Sequence, residues 1–171
     1  MNFRIALLGI GAMALAAPAS AAAPTDPQIA HIAYTAGNID IAAGKQALAR
    51  SHSKAIRSFA EEMVRDHQAV NDQALALVKK LNVTPEANPI SAGLEKDADA
   101  TLSRLAKLSG SSFDRAYIDN EIAYHKAVNG ALSSTLIPSA NNGELKSLLE
   151  TGLTLFREHQ AHAEHVAKAL K

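Results

Sequence analysis

From Ile29 to Leu170 the apolar residues recur at spacings of three and four, and β-branched residues nowhere alternate with polar ones over a useful window. Residues three and four apart share one face of an α-helix, whereas a half-buried strand needs strict alternation. The chain is therefore expected to be all-α. Trp and Cys are absent and aromatics make up 4% of the residues. The core must then be built mostly from Ala, Leu, Ile and Val on closely approached helices, with no disulfide or thiolate metal site to help.

Breakers divide the pattern into five helices. Asp26 and Pro27 suit the cap and first position of a helix over 27–50, whose stripe is Ile29, Ala33, Ala36, Asp40, Ala43 and Ala47. Gly37 and Gly44 mark a bend in it or a close approach to a neighbour. A second helix, 53–82, follows the break at Ser51 or Ser53, and Thr84-Pro85 to Asn88-Pro89 is the next breaker. A third helix spans about 91–108 with Leu94, Ala98, Leu102 and Leu105 in register, closed by Gly110. Ser111 to Asp114 resembles a capping box for a fourth helix, 112–137, ended by Pro138, and a fifth covers 144–170.

The third helix, at about 17 residues, is roughly 26 Å long. It can carry the chain back to the end where the second helix began, so that the fourth runs parallel to the second. Two helical hairpins joined by one long crossover form a ferritin-like four-helix bundle, here with an additional short helix in the crossover.

Polar residues interrupt the stripes near the midpoints of the four main helices: Asp40, His67, His125 and His159. Neighbouring helices of a bundle bring their midpoints to one height, so these side chains should form a layer. Glu121 lies one turn before His125 and Asn71 one turn after His67, each on the same face. An unpaired buried charge costs several kcal/mol, typically about 3–5. The layer must therefore satisfy itself, take up water or hold a cation. Imidazoles with a carboxylate suit Cu, Zn or Fe better than Mg or Ca, which prefer oxygen shells. His67, His125, His159, Asp40 and Glu121 are the candidate metal ligands. Two readings compete: a self-satisfied hydrogen-bond network, and a register that leaves the residues on different levels.

His159 and His162 share a face and are the pair in the C-terminal run that can chelate together, with His162 and His165 otherwise read as polar-face residues. His31 and His52 are expected at the surface, and Glu61, Glu62, Arg65 and Asp66 as a solvated charged face. Nucleophilic catalysis finds no Gly-x-Ser-x-Gly element and no phosphate loop.

Met-Asn-Phe-Arg, the apolar run from Ile5 to Ala17 and the string Ala19-Ser20-Ala21-Ala22-Ala23 read as a secretory signal peptide, residues 1–23, cleaved after Ala21 or Ala23. The remaining residues, 24–171, suit one domain with one core. Removing Arg4 leaves 16 basic and 17 acidic residues, a balance with no footprint for nucleic acid, and no transmembrane segment remains after cleavage. A periplasmic or secreted location follows.

Three stretches resemble a known family: Phe59-Ala60-Glu61-Glu62-Met63-Val64-Arg65-Asp66-His67 with Asn71, Phe113-Asp114-Arg115-Ala116-Tyr117 leading to His125, and Leu155-Phe156-Arg157-Glu158-His159 with Ala163. The family is the secreted bacterial ferritin-like proteins known as domain of unknown function 4142. The resemblance implies an exported bundle with His67, His125 and His159 as recurrent polar positions, and no established activity. Asp40 stands where that family often has Glu, which shortens the reach of a ligand there. Iron-oxidising ferritin-like proteins use Glu-x-x-His pairs, and this chain has none. A single His-rich ion is the state expected if metal binds, in an exported binding or envelope stress protein. A ferritin-like redox enzyme and a structural or partner-binding module are the alternatives.

Overall fold

The computed structural model describes residues 23–170. The expected signal peptide lies almost wholly outside them. The described helices are α1 (Asp26–Arg50), α2 (Lys54–Lys80), α3 (Pro89–Leu105), α4 (Gly110–Ala131), the short α5 (Ile137–Ser139) and α6 (Gly143–Ala169), with a π-helical turn, Leu132–Leu136, joining α4 to α5. The described residues contain no strand and no helix long and apolar enough to cross a membrane.

Hydrogen bonds at the two ends fix the direction of every helix. At one end the Asp26 carboxylate accepts the amides of Asn141 and Asn142, each at 2.8 Å, and the Pro27 carbonyl accepts the Glu86 amide. At the other, Arg50 donates to the carbonyls of Ala106 and Leu108, and Arg115 to that of Leu170. Helices α1, α3 and α6 therefore run one way, and α2 and α4 the other. The expected parallel course of α2 and α4 is present. Helices α1 and α2 form one hairpin and α4 and α6 the other; α2 lies against α6, α1 meets α4, and α3 packs mainly on α1.

Several ends differ from the expected ones. Asp26 is the first helical residue rather than the cap, because its carboxylate is committed to the start of α6; Thr25 occupies the cap position. Asn88 caps α3, accepting the amides of Ile90 and Ser91 at 3.1 Å, so that helix starts before Ser91. Gly110 does not close α3 but opens α4, its φ of 55° turning the chain directly into the helix, and the Ser111 capping box does not form. Pro138 does not stop α4 where expected. An α-helix would drive the proline ring into a carbonyl one turn back. The wider π turn relieves that clash, while the hydroxyls of Ser133 and Ser134 take up the carbonyls of Asn129 and Gly130.

Gly37 and Gly44 are points of close approach. A Cβ on Gly37 would lie 2.3 Å from Asn71 Oδ1, and one on Gly44 would lie 2.9 Å from Val64 Cγ2 and 3.2 Å from the Ala60 carbonyl oxygen. At Gly130 a Cβ would meet nothing. Gly37→Ala and Gly44→Ala should each cost about 1–3 kcal/mol by overpacking, whereas Gly130→Ala should gain about 0.5–1 kcal/mol from helix propensity. Thermal melts of the three variants check this, and equal shifts would contradict the close α1–α2 contact.

The core falls into two apolar clusters. One gathers Ala43, Ala47, Ile56, Phe59, Met63, Phe113, Tyr117 and Val166; the other gathers Ile29, Ile32, Leu132, Leu136, Leu145, Leu149 and Phe156. Between them, at mid-height, lies a layer of buried polar side chains.

Candidate metal centre

Each helix of the bundle contributes to this layer from the middle of its apolar stripe: Asp40 from α1, His67 from α2, Glu121 and His125 from α4, and His159 from α6. None of the five is more than 3% exposed. The imidazole centroids of His67, His125 and His159 stand 5.6, 5.4 and 5.5 Å apart, a nearly equilateral triangle. One nitrogen from each ring lies within 4.8 Å of the other two. Three imidazoles on one ion, at about 2.0–2.1 Å and with tetrahedral to trigonal angles, place their centroids roughly 5.2–5.5 Å apart. The triangle already has that size.

Asp40 closes the set. Its Oδ2 lies 3.3 Å from His67 Nε2 and 3.4 Å from His125 Nε2. Glu121 Oε2 lies 3.7 Å from His125 Nδ1, and Asp40, Glu121 and His125 form a second group whose ligand atoms come within 4.8 Å of one another. The His67 ring is stacked on Phe156, 4.6 Å away with 14° between the planes, which fixes its orientation.

Two rings are oriented from outside the triangle. His125 Nδ1 donates to the Glu121 backbone carbonyl at 3.0 Å, leaving Nε2 as the free base. His159 Nε2 donates to Asp66 Oδ2 at 3.2 Å, which turns Nδ1 inward as a lone pair. A carboxylate behind a histidine is the usual means of fixing a metal-binding tautomer. Burial alone would raise the Asp66 carboxyl, but hydrogen bonds from Arg65 and His159 more than offset this and hold it below the usual range, so it is ionised at neutral pH.

Asp66 therefore corrects the expectation of a solvated charged face. It flanks the stripe next to His67, and α6 packs over that side of α2. Glu62, one turn earlier, accepts from His162 Nδ1 at 2.8 Å. His162 thus pairs with Glu62 instead of joining His159 as a chelate. The available signal was a pair of acids four apart on α2 and a pair of histidines three apart on α6. Tyr117 was also missed: one turn before Glu121, its hydroxyl is buried without a partner. Asn71 is buried one turn from His67 but donates to Asn38 Oδ1 at 2.9 Å, outside the triangle. His52 is exposed and His31 half-buried.

Burial sets the protonation of the layer. It pushes the His125 imidazolium down to about 4. Burial, reinforced by the neighbouring histidines, pushes His67 well below its usual range, and burial lowers His159 too, although Asp66 pulls the other way. Asp40 is raised to about 7 by burial, and Glu121 well above the usual carboxyl range by burial and by Asp40. At neutral pH the imidazoles are neutral bases.

The layer does not satisfy itself. Within the protein, Asp40 Oδ1 and Oδ2, His67 Nδ1 and Nε2, His125 Nε2, His159 Nδ1 and Glu121 Oε2 are buried without a hydrogen-bond partner. A buried polar atom left unpaired costs about 1–3 kcal/mol. These atoms belong to two overlapping groups, His67, His125 and His159, and Asp40, Glu121 and His125, in each of which one ligand atom per residue lies within 4.8 Å of the others.

No curated protein and no solved structure matches the chain. A family model described as Domain of unknown function (DUF4142) matches residues 12–166, and the chain belongs to that family.

Proposed function

We propose that this protein is an exported ferritin-like bundle that binds one transition-metal ion, Cu, Zn or Fe, through His67, His125 and His159, with Asp40 as the fourth ligand. The observation that carries this reading is the triangle of imidazoles at metal-binding spacing, with His67 Nδ1 and Nε2, His125 Nε2 and His159 Nδ1 unpartnered. Glu121 stands behind His125 as a neutral carboxyl that can accept charge when an ion enters. Half-buried Glu62 and Asp66 offer ligand atoms within 4.8 Å of one another and of His159, which places two carboxylates between solvent and the layer on the α2–α6 side.

The test is metal content after equilibrium dialysis against Cu, Zn and Fe salts. About one ion per chain is expected for the wild type. His67→Ala and His125→Ala should retain far less. Equal content in all three proteins would remove the reading.

Asp66 gives a sharper check because it touches no ion. Asp66→Ala should lower metal affinity by about 10–100-fold, as loss of an orienting carboxylate does, while the helical fold stays intact. Competition with a chromophoric chelator measures the change. An unchanged affinity would mean that His159 needs no help to present Nδ1.

Export is supported by the pattern of residues 1–23. Mass spectrometry of protein from the periplasmic fraction should find a chain beginning at residue 22 or 24.

A further inference from the structure

Helix α3 carries the apolar stripe Leu94, Ala98, Leu102 and Leu105, yet of these four only Leu105 is buried. The other three face a cavity of about 490 Å³ between α3 and the bundle, whose lining reaches inward to His67 and His125. Along α3 the cavity extends from Ile90 to Leu102, roughly 18 Å at 1.5 Å per residue. Ile90, at the start of α3, is 48% exposed. The histidines lie toward the other end, level with the polar layer.

Ala, Ile, Leu and Val make up about two thirds of the wall, and Thr101, Asn120 and Thr135 are among its polar members. Asp97 is its one acidic side chain and is exposed, and neither Lys nor Arg contributes to it. Asn71 and Tyr124 line it too, but their donors are already committed to Asn38 and to the Ala36 carbonyl. His67 is different: it is 3% exposed, both ring nitrogens lack partners, and it borders the inner end of the space.

We propose that this cavity binds a single aliphatic chain ending in one oxygen function, a hydroxyl or a carboxyl, with the chain along α3 and the oxygen at His67 and His125. The volume lies within the range of about 300–1,000 Å³ usual for small-molecule sites. The length and the predominance of aliphatic side chains favour a chain over a compact polar solute, which would lose its hydration without replacement. A phosphate head, which stays charged, is disfavoured because no cationic side chain lines the wall, whereas a carboxyl can enter protonated and, like a hydroxyl, donate to a neutral imidazole nitrogen. The inference rests on where His67 and His125 stand and does not need a bound ion.

Displacement of the fluorescent probe N-phenyl-1-naphthylamine tests it, using metal-stripped protein with 1-decanol and decanoate below their micellar concentrations. Either amphiphile should displace the probe from the wild type, and their order of potency identifies the oxygen function. Ala98→Trp or Ala33→Phe, which fill the wall from α3 or α1, should weaken probe binding about tenfold or more. Ala100→Trp, on the exposed face of α3, should not. His67→Leu should weaken the amphiphiles more than the probe. Circular dichroism confirms that each variant is folded, and unchanged metal content in Ala98→Trp separates this result from the metal reading. Equal binding by Ala98→Trp, Ala33→Phe and Ala100→Trp, or no displacement by either amphiphile, would overturn the proposal.

Discussion

Zinc or copper added to the metal-stripped protein at about a thousand times its dissociation constant should stabilise it by about 4 kcal/mol, raising the unfolding temperature by roughly 8–16 °C for a domain of this size. An ion at this site is expected to bind only the folded chain, because only folding brings α2, α4 and α6 to a common level at His67, His125 and His159. In the unfolded chain His67 and His125 are 58 positions apart and His125 and His159 are 34 apart, so chelation there is weak. His67→Ala, His125→Ala and His159→Ala should each abolish most of the shift, since two imidazoles and one carboxylate hold an ion far less firmly than three and one. His165→Ala is the control: His165 is exposed on α6, and its removal should leave the shift intact. A shift that survives the loss of any inward histidine would place the ion elsewhere.

Asp40→Asn should stabilise the metal-free protein and destabilise the metal-loaded one. Burial raises the Asp40 carboxyl from 3.8 to about 7. Between those values the folded chain keeps a proton that the unfolded chain has lost, so the folded state binds more protons and stability falls as pH rises toward 7. The asparagine is neutral throughout. The advantage of the variant over the wild type in the metal-free state should therefore grow by roughly 3–4 kcal/mol between pH 4 and pH 8. The lowered histidines slope the other way, losing stability as pH falls from 6.5 through about 4 for His125, and are common to both proteins, whereas Glu121, raised by burial and in part by Asp40, is relieved in the variant and adds to its advantage at high pH. Saturating metal reverses the order, because ionised Asp40 is then a ligand and the amide is a poor one. Urea unfolding at several pH values, with and without metal, reads both signs. A pH-independent difference would mean that Asp40 is not held protonated by burial.

The four main helices and the layer were legible because each is written in the period of the chain. A polar residue on an apolar stripe near a helix midpoint must face the core, and midpoints of packed helices meet, so Asp40, His67, His125 and His159 could be placed together without knowing which helices touch. Asp66 could not. It sits at the edge of the α2 stripe, and whether it is solvated depends on which side α6 covers, which is a property of the pair. The ends of α1 and α4 escaped for a similar reason: Asp26 serves the start of α6 instead of its own amides, and Pro138 is accommodated by a π turn whose serines take the released carbonyls. Helix α3 shows the opposite failure. Its stripe was read correctly from Leu94 to Leu105, yet a stripe reports an apolar face and says nothing of whether protein or a cavity lies against it.

The three imidazoles also bear on why the layer tolerates so many unpartnered atoms. Replacing Asp40, His67, His125 and His159 with apolar residues of similar volume should leave a folded and more stable bundle if the layer serves only to align helices. If it serves to hold an ion, the same replacement removes binding along with the cost. Stability and binding then trade against each other at one set of residues.

X-ray absorption at the zinc edge of the loaded protein reads the ligand set of the ion itself. One ion per chain with three imidazoles and one oxygen at about 2.0–2.1 Å is expected, with loss of imidazole scattering in His125→Ala. A shell with no more than one imidazole, or a spectrum unchanged by that substitution, would contradict this ligand set.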